Sequence, residues 1–162
     1  GGRGMIHYVL LHSKHGKTRL AKWYYRPEPG APRDAYSQKE KRRIIRHVTD
    51  MVLARGRASS RACNFVEHGG LRVVYKKYAS LYFIMGVDMG DNELEALTLI
   101  QMYVEILDKY FGNVCELDLI YHFHRAYFLL DELVLGGHVQ ESRQATVLGA
   151  MEKMDELADA SS

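Results

Sequence analysis

Few residues of this chain stand where they could make or break a bond. Gly16-Lys17-Thr18 has the closing triplet of a phosphate-binding loop, whose backbone N–H groups cradle a nucleotide while the Lys reaches its phosphates. That loop needs another Gly five positions earlier, where Leu11 stands. The triplet also lies in turn-like sequence between two strand-like runs, not at the opening of a helix, so no nucleotide site is expected. Eight histidines invite a metal, but His122 and His124 are two apart, which diverges on a helix, and no His-Glu-x-x-His spacing occurs. They read as structural or surface histidines. Cys63 and Cys115 form no Cys-x-x-Cys pair and no disulfide framework, which points to buried thiols in a reducing compartment. Asp and Glu are spread over amphipathic stretches, where solvation explains them without an acid–base role. The expectation is no enzyme, no cofactor and no metal.

One charged cluster is denser than the rest: Lys39, Lys41, Arg42, Arg43 and Arg46, interrupted by Glu40. It reads as a solvated helix face or as a contact for an acidic partner or anionic headgroups. Over the whole chain of 162 residues the net charge is only +2, so no field strong enough for nucleic-acid binding is expected. With 47% hydrophobic and 26% charged residues the composition is that of one ordinary globular domain. The longest apolar runs are far shorter than the roughly 20 residues of a membrane span.

The elements that must position these residues follow from periodicity. Residues 5–11 and 19–25 are strand-like around the turn Ser13-Lys14-His15-Gly16, with Ala21, Trp23 and Tyr25 on one face. Pro27, Pro29 and Pro32 then make a loop, about 26–36, because proline cannot donate to a ladder. Ser37 and Glu40 form a capping box that opens a helix over 37–55, with Ile44, Ile45, Val48, Met51 and Val52 at helical spacing. Three further strands are predicted over 64–67, 71–78 and 81–87. Asn92 caps a second helix whose stripe of Leu97, Ile100, Val104, Leu107 and Phe111 ends at Gly112. Helices over 116–135 and 141–158 complete the chain. Gly1 to Gly4 read as an extension outside the core, and residues 5–162 as a single domain. Hairpin links without strand–helix–strand repetition predict an α+β fold, an antiparallel sheet covered by helices.

Several segments resemble the small (sigma) chains of clathrin adaptor complexes: Gly16-Lys17-Thr18-Arg19-Leu20-Ala21-Lys22-Trp23-Tyr24, Asn64-Phe65-Val66-Glu67 and Val74-Tyr75-Lys76-Lys77-Tyr78-Ala79-Ser80-Leu81-Tyr82-Phe83. The densest match is Tyr103-Val104-Glu105-Ile106-Leu107-Asp108-Lys109-Tyr110-Phe111-Gly112-Asn113-Val114-Cys115-Glu116-Leu117-Asp118-Leu119, with Leu130-Asp131-Glu132 beyond it. The resemblance covers about residues 5–147, and only the Pro-rich insertion departs from it. It implies a longin-like fold, a five-stranded antiparallel sheet flanked by helices. It also implies a place in a heterotetramer beside a large, gamma-type adaptin, with clathrin, an Arf-type small GTPase and phosphoinositide membrane as indirect partners.

What the resemblance implies for a site is peptide binding. A cargo tail carrying an acidic residue four positions before a Leu-Leu or Leu-Ile pair needs one cation and an apolar cleft. By motif, Arg19 would face the acid, and Ala79, Leu81, Val104, Val114 and Leu119 would line the leucine pockets beside Asn113. Periodicity alone reads the same aliphatics as core, while Arg19 has no packing reason to be Arg. Details such as Val52-Leu53-Ala54-Arg55 and Gly136-Gly137-His138-Val139-Gln140-Glu141 look closer to the trans-Golgi and endosomal adaptor than to the plasma-membrane one. That implies a cytoplasmic, peripheral location on those membranes and their coated vesicles. The alternatives are the plasma-membrane sigma chain, or a free-standing longin module that regulates a small GTPase or a fusion protein.

Overall fold

The hairpin predicted from alternation opens the chain: Ile6–Ser13 (β1) pairs antiparallel with Thr18–Trp23 (β2). The structure, a computed structural model, describes residues 6–24, 36–58, 64–89, 93–135, 138–139 and 155. The Pro-rich loop lies outside these residues but for Tyr36, and so do Cys63, the Asn92 cap and all of the helix expected over 141–158 except Asp155, which is helical. Gln38–Ala58 (α1) starts as predicted, Ser37 Oγ accepting from the Glu40 N–H at 3.2 Å and Glu40 accepting from the Ser37 N–H at 3.3 Å. It runs on through Gly56, since one glycine in a helix costs only about 1 kcal/mol.

Asn64–His68 (β3), Leu71–Tyr78 (β4) and Leu81–Asp88 (β5) follow as an antiparallel meander. The strands form one sheet in the order β2-β1-β5-β4-β3, so the first strand inserts beside the fifth and the two outer strands are β2 and β3. Glu93–Phe111 (α2) then ends where Gly112 takes φ 63° and Asn113 φ 70°, two consecutive left-handed residues that turn the chain away from the helix axis.

The single helix expected over 116–135 is not one helix. Glu116–Tyr121 (α3) stops at His122, whose φ −131° and ψ 38° leave the helical region, and Phe123–Leu133 (α4) starts afresh. Val134–Leu135 (β6) then pairs with His138–Val139 (β7). No Pro or Gly marks the break, and Leu119, Ala126, Leu129, Leu130 and Leu133 are buried on both sides of it, which is why periodicity reads straight through. His122 therefore sits between helices and His124 within α4.

Alternation along the strands divides the core in two. Tyr8, Leu10, Val66, Val73, Tyr75, Tyr82 and Ile84 pack with Val48 and Val52 of α1 on one face. Val9, Leu11, Leu20, Val74, Leu81, Phe83 and Met85 pack with α2, α3 and α4 on the other. Helices thus cover both faces of a five-stranded antiparallel sheet, the longin-like α+β arrangement. Tyr103 joins the outer helices, its hydroxyl donating to the Ala126 carbonyl at 2.7 Å.

Candidate functional site

Arg19 owes its position to an irregularity in β2. Leu11 faces Leu20 but His12 faces Thr18, so Arg19 is an extra residue bulged from the ladder. A bulge re-aims its side chain. The guanidinium turns toward α3, where Nε donates to Glu116 at 2.8 Å, with the two side chains 29% and 19% exposed. This corrects the expectation that nothing in the packing calls for Arg: Glu116, remote in sequence, does. Only Nε is engaged in that bond, which leaves the Nη donors without a partner among the described residues.

A second junction forms where α2 turns into α3. Asp108 accepts from the Val114 N–H at 3.0 Å, its carbonyl accepts from the Asn113 N–H at 3.2 Å, and its carboxylate bonds the Tyr78 hydroxyl. That hydrogen bond, followed by burial and the Asp108 charge, raises the Tyr78 pKa, so the phenol stays protonated as donor. Tyr78 adjoins Ala79, which bends the β4–β5 turn at φ 54°, and the Lys14 N–H donates to the Ser80 carbonyl at 2.9 Å. One end of the sheet thus gathers the β2 bulge, the β4–β5 turn and the α2–α3 corner.

All seven predicted site residues lie on these elements or beside them, yet they differ in access. Ala79 and Asn113 are exposed and Arg19 is half-buried. Leu81, Val104, Val114 and Leu119 are 0%, 3%, 2% and 1% exposed and belong to the core cluster on this face. The four aliphatics expected to line leucine pockets are therefore core residues in this structure.

Nearby, β2 is fastened to α4. The Tyr127 hydroxyl accepts from the Ala21 N–H at 3.3 Å and donates to its carbonyl at 2.9 Å, satisfying an edge that would otherwise be open. Asp131 pairs with Lys22 at 3.3 Å and accepts from Tyr24 at 3.2 Å. Burial first, then Asp131, raises the Tyr24 pKa.

Sequence reasoning missed a neighbouring surface. Leu117, Ile120, Tyr121 and Phe123 stand 58%, 40%, 73% and 42% exposed on α3 and the start of α4, a concentration of exposed large apolar side chains. The signal was present in the spacing, since Leu117, Ile120 and Tyr121 share one helical face, but an apolar face reads as core until the packing shows it uncovered.

Among the described residues no three His, Cys, Asp or Glu could hold a metal together, and no helix is long and apolar enough to cross a membrane. Cys115 is a half-buried free thiol at the start of α3, its N–H donating to Asp118 at 2.9 Å. The described residues thus offer ion pairs, an exposed apolar group and buried aliphatics rather than a cluster of reactive groups. The model of the clathrin adaptor complex small chain family matches residues 5–158, and the chain belongs to that family. It is a small subunit of an adaptor complex, a structural component of vesicle transport and not an enzyme.

The chain is 52% identical to the AP-1 complex subunit sigma-2 of Arabidopsis thaliana, over 96% of this chain and 88% of that protein. It is 47% identical to the human AP-1 complex subunit sigma-1A, over 96% and 90%. It is also similar to a chain in a homology model of the full-length AP-3 complex in a stretched open conformation, with a TM-score of 0.68, 28% identity and 97% of each chain covered.

Proposed function

We propose that this chain is the sigma subunit of an AP-1-type adaptor, which holds its complex together and binds acidic dileucine signals of membrane cargo at the trans-Golgi network and endosomes. The similarity to AP-1 sigma subunits of plants and animals supports the branch. The exposed Leu117, Ile120, Tyr121 and Phe123 suit burial against a large, gamma-type chain. Clathrin, an Arf-type GTPase and phosphoinositide membrane are then reached through the assembled complex, on the cytoplasmic side.

The observation that carries the peptide reading is the end of the sheet where Arg19, its Nη donors without a partner among the described residues, stands on the face that holds Leu81, Val104, Val114 and Leu119. The acid of the signal takes the Nη side of Arg19, and Glu116 holds the guanidinium in place from Nε. The two leucines enter by displacing packing between the β4–β5 turn and the α2–α3 corner, flanked by Ala79 and Asn113. Burying them gains roughly 3 to 6 kcal/mol, at about 1.5 to 3 per side chain, before the costs of ordering the tail and opening the lining. Micromolar affinity needs about 8 kcal/mol, so the two leucines alone give weak, reversible binding and the Arg19 contact must supply the rest.

The test is calorimetric titration of a Glu-x-x-x-Leu-Leu peptide onto the assembled complex, beside a peptide with both leucines changed to Ser. The expected outcome is saturable binding of the first and a loss of at least tenfold for the second. Equal binding of both peptides overturns the leucine site. The peptide is varied rather than the aliphatics, because Val104 is only 3% exposed and a carboxylate placed there would disrupt the face itself.

A further inference from the structure

The opposite face of the sheet holds a cleft that the peptide reading does not use. It measures about 410 Å³ and lies between the β1–β2 hairpin and α1, lined by His12, Gly16, Thr18, Arg42, Ile45, Arg46, Thr49, Asp50 and Leu53. That volume is in the range of small-molecule sites, roughly 300 to 1,000 Å³.

Three features make it more than a dent between elements. Arg42 and Arg46, one turn apart on α1, border it with no carboxylate partner among the described residues; Arg42 spends only Nε, on the Gln38 carbonyl. Guanidinium pairs of this kind match the oxygens of a phosphate. Asp50 continues the same helical row and makes no hydrogen bond or ion pair among the described residues, so the lining carries a carboxylate acceptor beside two cations. His12 is 4% exposed, and its Nδ1 is taken by the Thr18 hydroxyl at 2.9 Å while Nε2 has no partner. Burial lowers its pKa against the opposing pull of Asp50, which favours the neutral ring. In either tautomer one ring nitrogen is left with hydrogen-bonding capacity unused, which in a buried polar group calls for a partner.

We propose that this cleft binds a polyol monophosphate, with the phosphate on Arg42 and Arg46 and the ring hydroxyls on Asp50 and Thr18, whose hydroxyl is held by His12 Nδ1. A carboxylate in the lining disfavours a bare or multiply charged phosphate and rewards hydroxyl donors, so the ligand is an anion at one end and a polyol at the other. Gly16-Lys17-Thr18 thus contributes to a phosphate-ester site through Thr18, although it forms no nucleotide loop. The same chemistry is offered by a soluble inositol or sugar phosphate and by a lipid headgroup.

Titration of myo-inositol monophosphate onto the assembled complex tests the site, with inorganic phosphate and unphosphorylated myo-inositol as parallel probes. Saturable binding is expected, weakened at least tenfold by Arg42→Glu or Arg46→Glu and unchanged by Lys39→Glu, a basic neighbour outside the lining. Asp50→Asn is the sharper variant. It makes the cleft more positive, yet it should weaken the inositol phosphate several-fold, and a tightening overturns the polyol assignment. Equal affinity for inorganic phosphate also overturns it, as does wild-type binding by both arginine variants. Flotation with phosphatidylcholine vesicles carrying a phosphatidylinositol monophosphate separates the sources: arginine-dependent flotation supports a headgroup, and arginine-dependent binding of the free ester alone supports a soluble one. No arginine-dependent binding in either arm rejects the proposal. The Glu-x-x-x-Leu-Leu peptide should bind all these variants normally, which separates this failure from that of the peptide site.

Discussion

Tyr8 and Gly86 show how one residue can be fixed by another. A Cβ on Gly86 would lie 2.4 Å from Tyr8 Cζ and 2.5 Å from Cε1, so the aromatic ring occupies the place of a side chain on the neighbouring strand. Gly86→Ala must push a fully buried ring aside, and the fold should lose about 1 to 3 kcal/mol, read as a lower urea midpoint. Tyr8→Ala in the same chain should make the second substitution nearly free, and full additivity would contradict the contact. At this scale the sequence was legible only in part. The alternation that buries Tyr8 is plain, but the reason for Gly at 86 depends on the register of β1 against β5, which pairs Tyr8 with Gly86. Arg19 is similar. Its residue type stood out, whereas its partner Glu116 and the bulge that aims it are products of tertiary structure.

Edges and breaks decide the account at the scale of elements. β2 is an outer strand, and the Tyr127 hydroxyl is both acceptor and donor to Ala21, so α4 closes an edge that no strand covers. Tyr127→Phe leaves both backbone groups unpaired and should cost about 1 to 3 kcal/mol by urea denaturation, with faster hydrogen exchange at Ala21 than in the wild type. An unchanged exchange rate would show that the hydroxyl is not what protects the edge. The capping box at Ser37 and Glu40 and the terminator at Gly112 were legible because such signals are local. The break at His122 was not, because neither a Pro nor a Gly announces it and the buried row continues across it. The exposed apolar group of Leu117, Ile120, Tyr121 and Phe123 was not legible either, because sequence alone does not show which apolar face the core leaves uncovered.

For the whole molecule, the sheet is covered by α1 on one face and by α2, α3 and α4 on the other, which leaves association to the outer surfaces. A subunit built this way should depend on its neighbours. Co-expression with a large adaptor chain should raise the soluble yield several-fold, and Leu117→Glu with Tyr121→Glu should remove that gain without unfolding the domain by circular dichroism. A yield that is high alone and indifferent to the large chain would favour a free-standing longin module. The overall fold was legible because five alternating strands and two well-capped helices leave few ways to arrange an antiparallel sheet. Pocket and core were not distinguishable, since Leu81, Val104, Val114 and Leu119 follow the same periodicity whether they receive a ligand or only each other.

The contact between Arg19 and the acid of the cargo signal is the point on which the peptide reading turns, and a double-mutant cycle measures it. The assembled complex, wild type or Arg19→Gln, is titrated with the Glu-x-x-x-Leu-Leu peptide and with its Gln-x-x-x-Leu-Leu counterpart. The account predicts a coupling of about 1 to 3 kcal/mol, with the Gln peptide weaker on the wild type and indistinguishable from the Glu peptide on Arg19→Gln. Effects that add to within about 0.5 kcal/mol would mean that Arg19 serves Glu116 alone and does not read the signal.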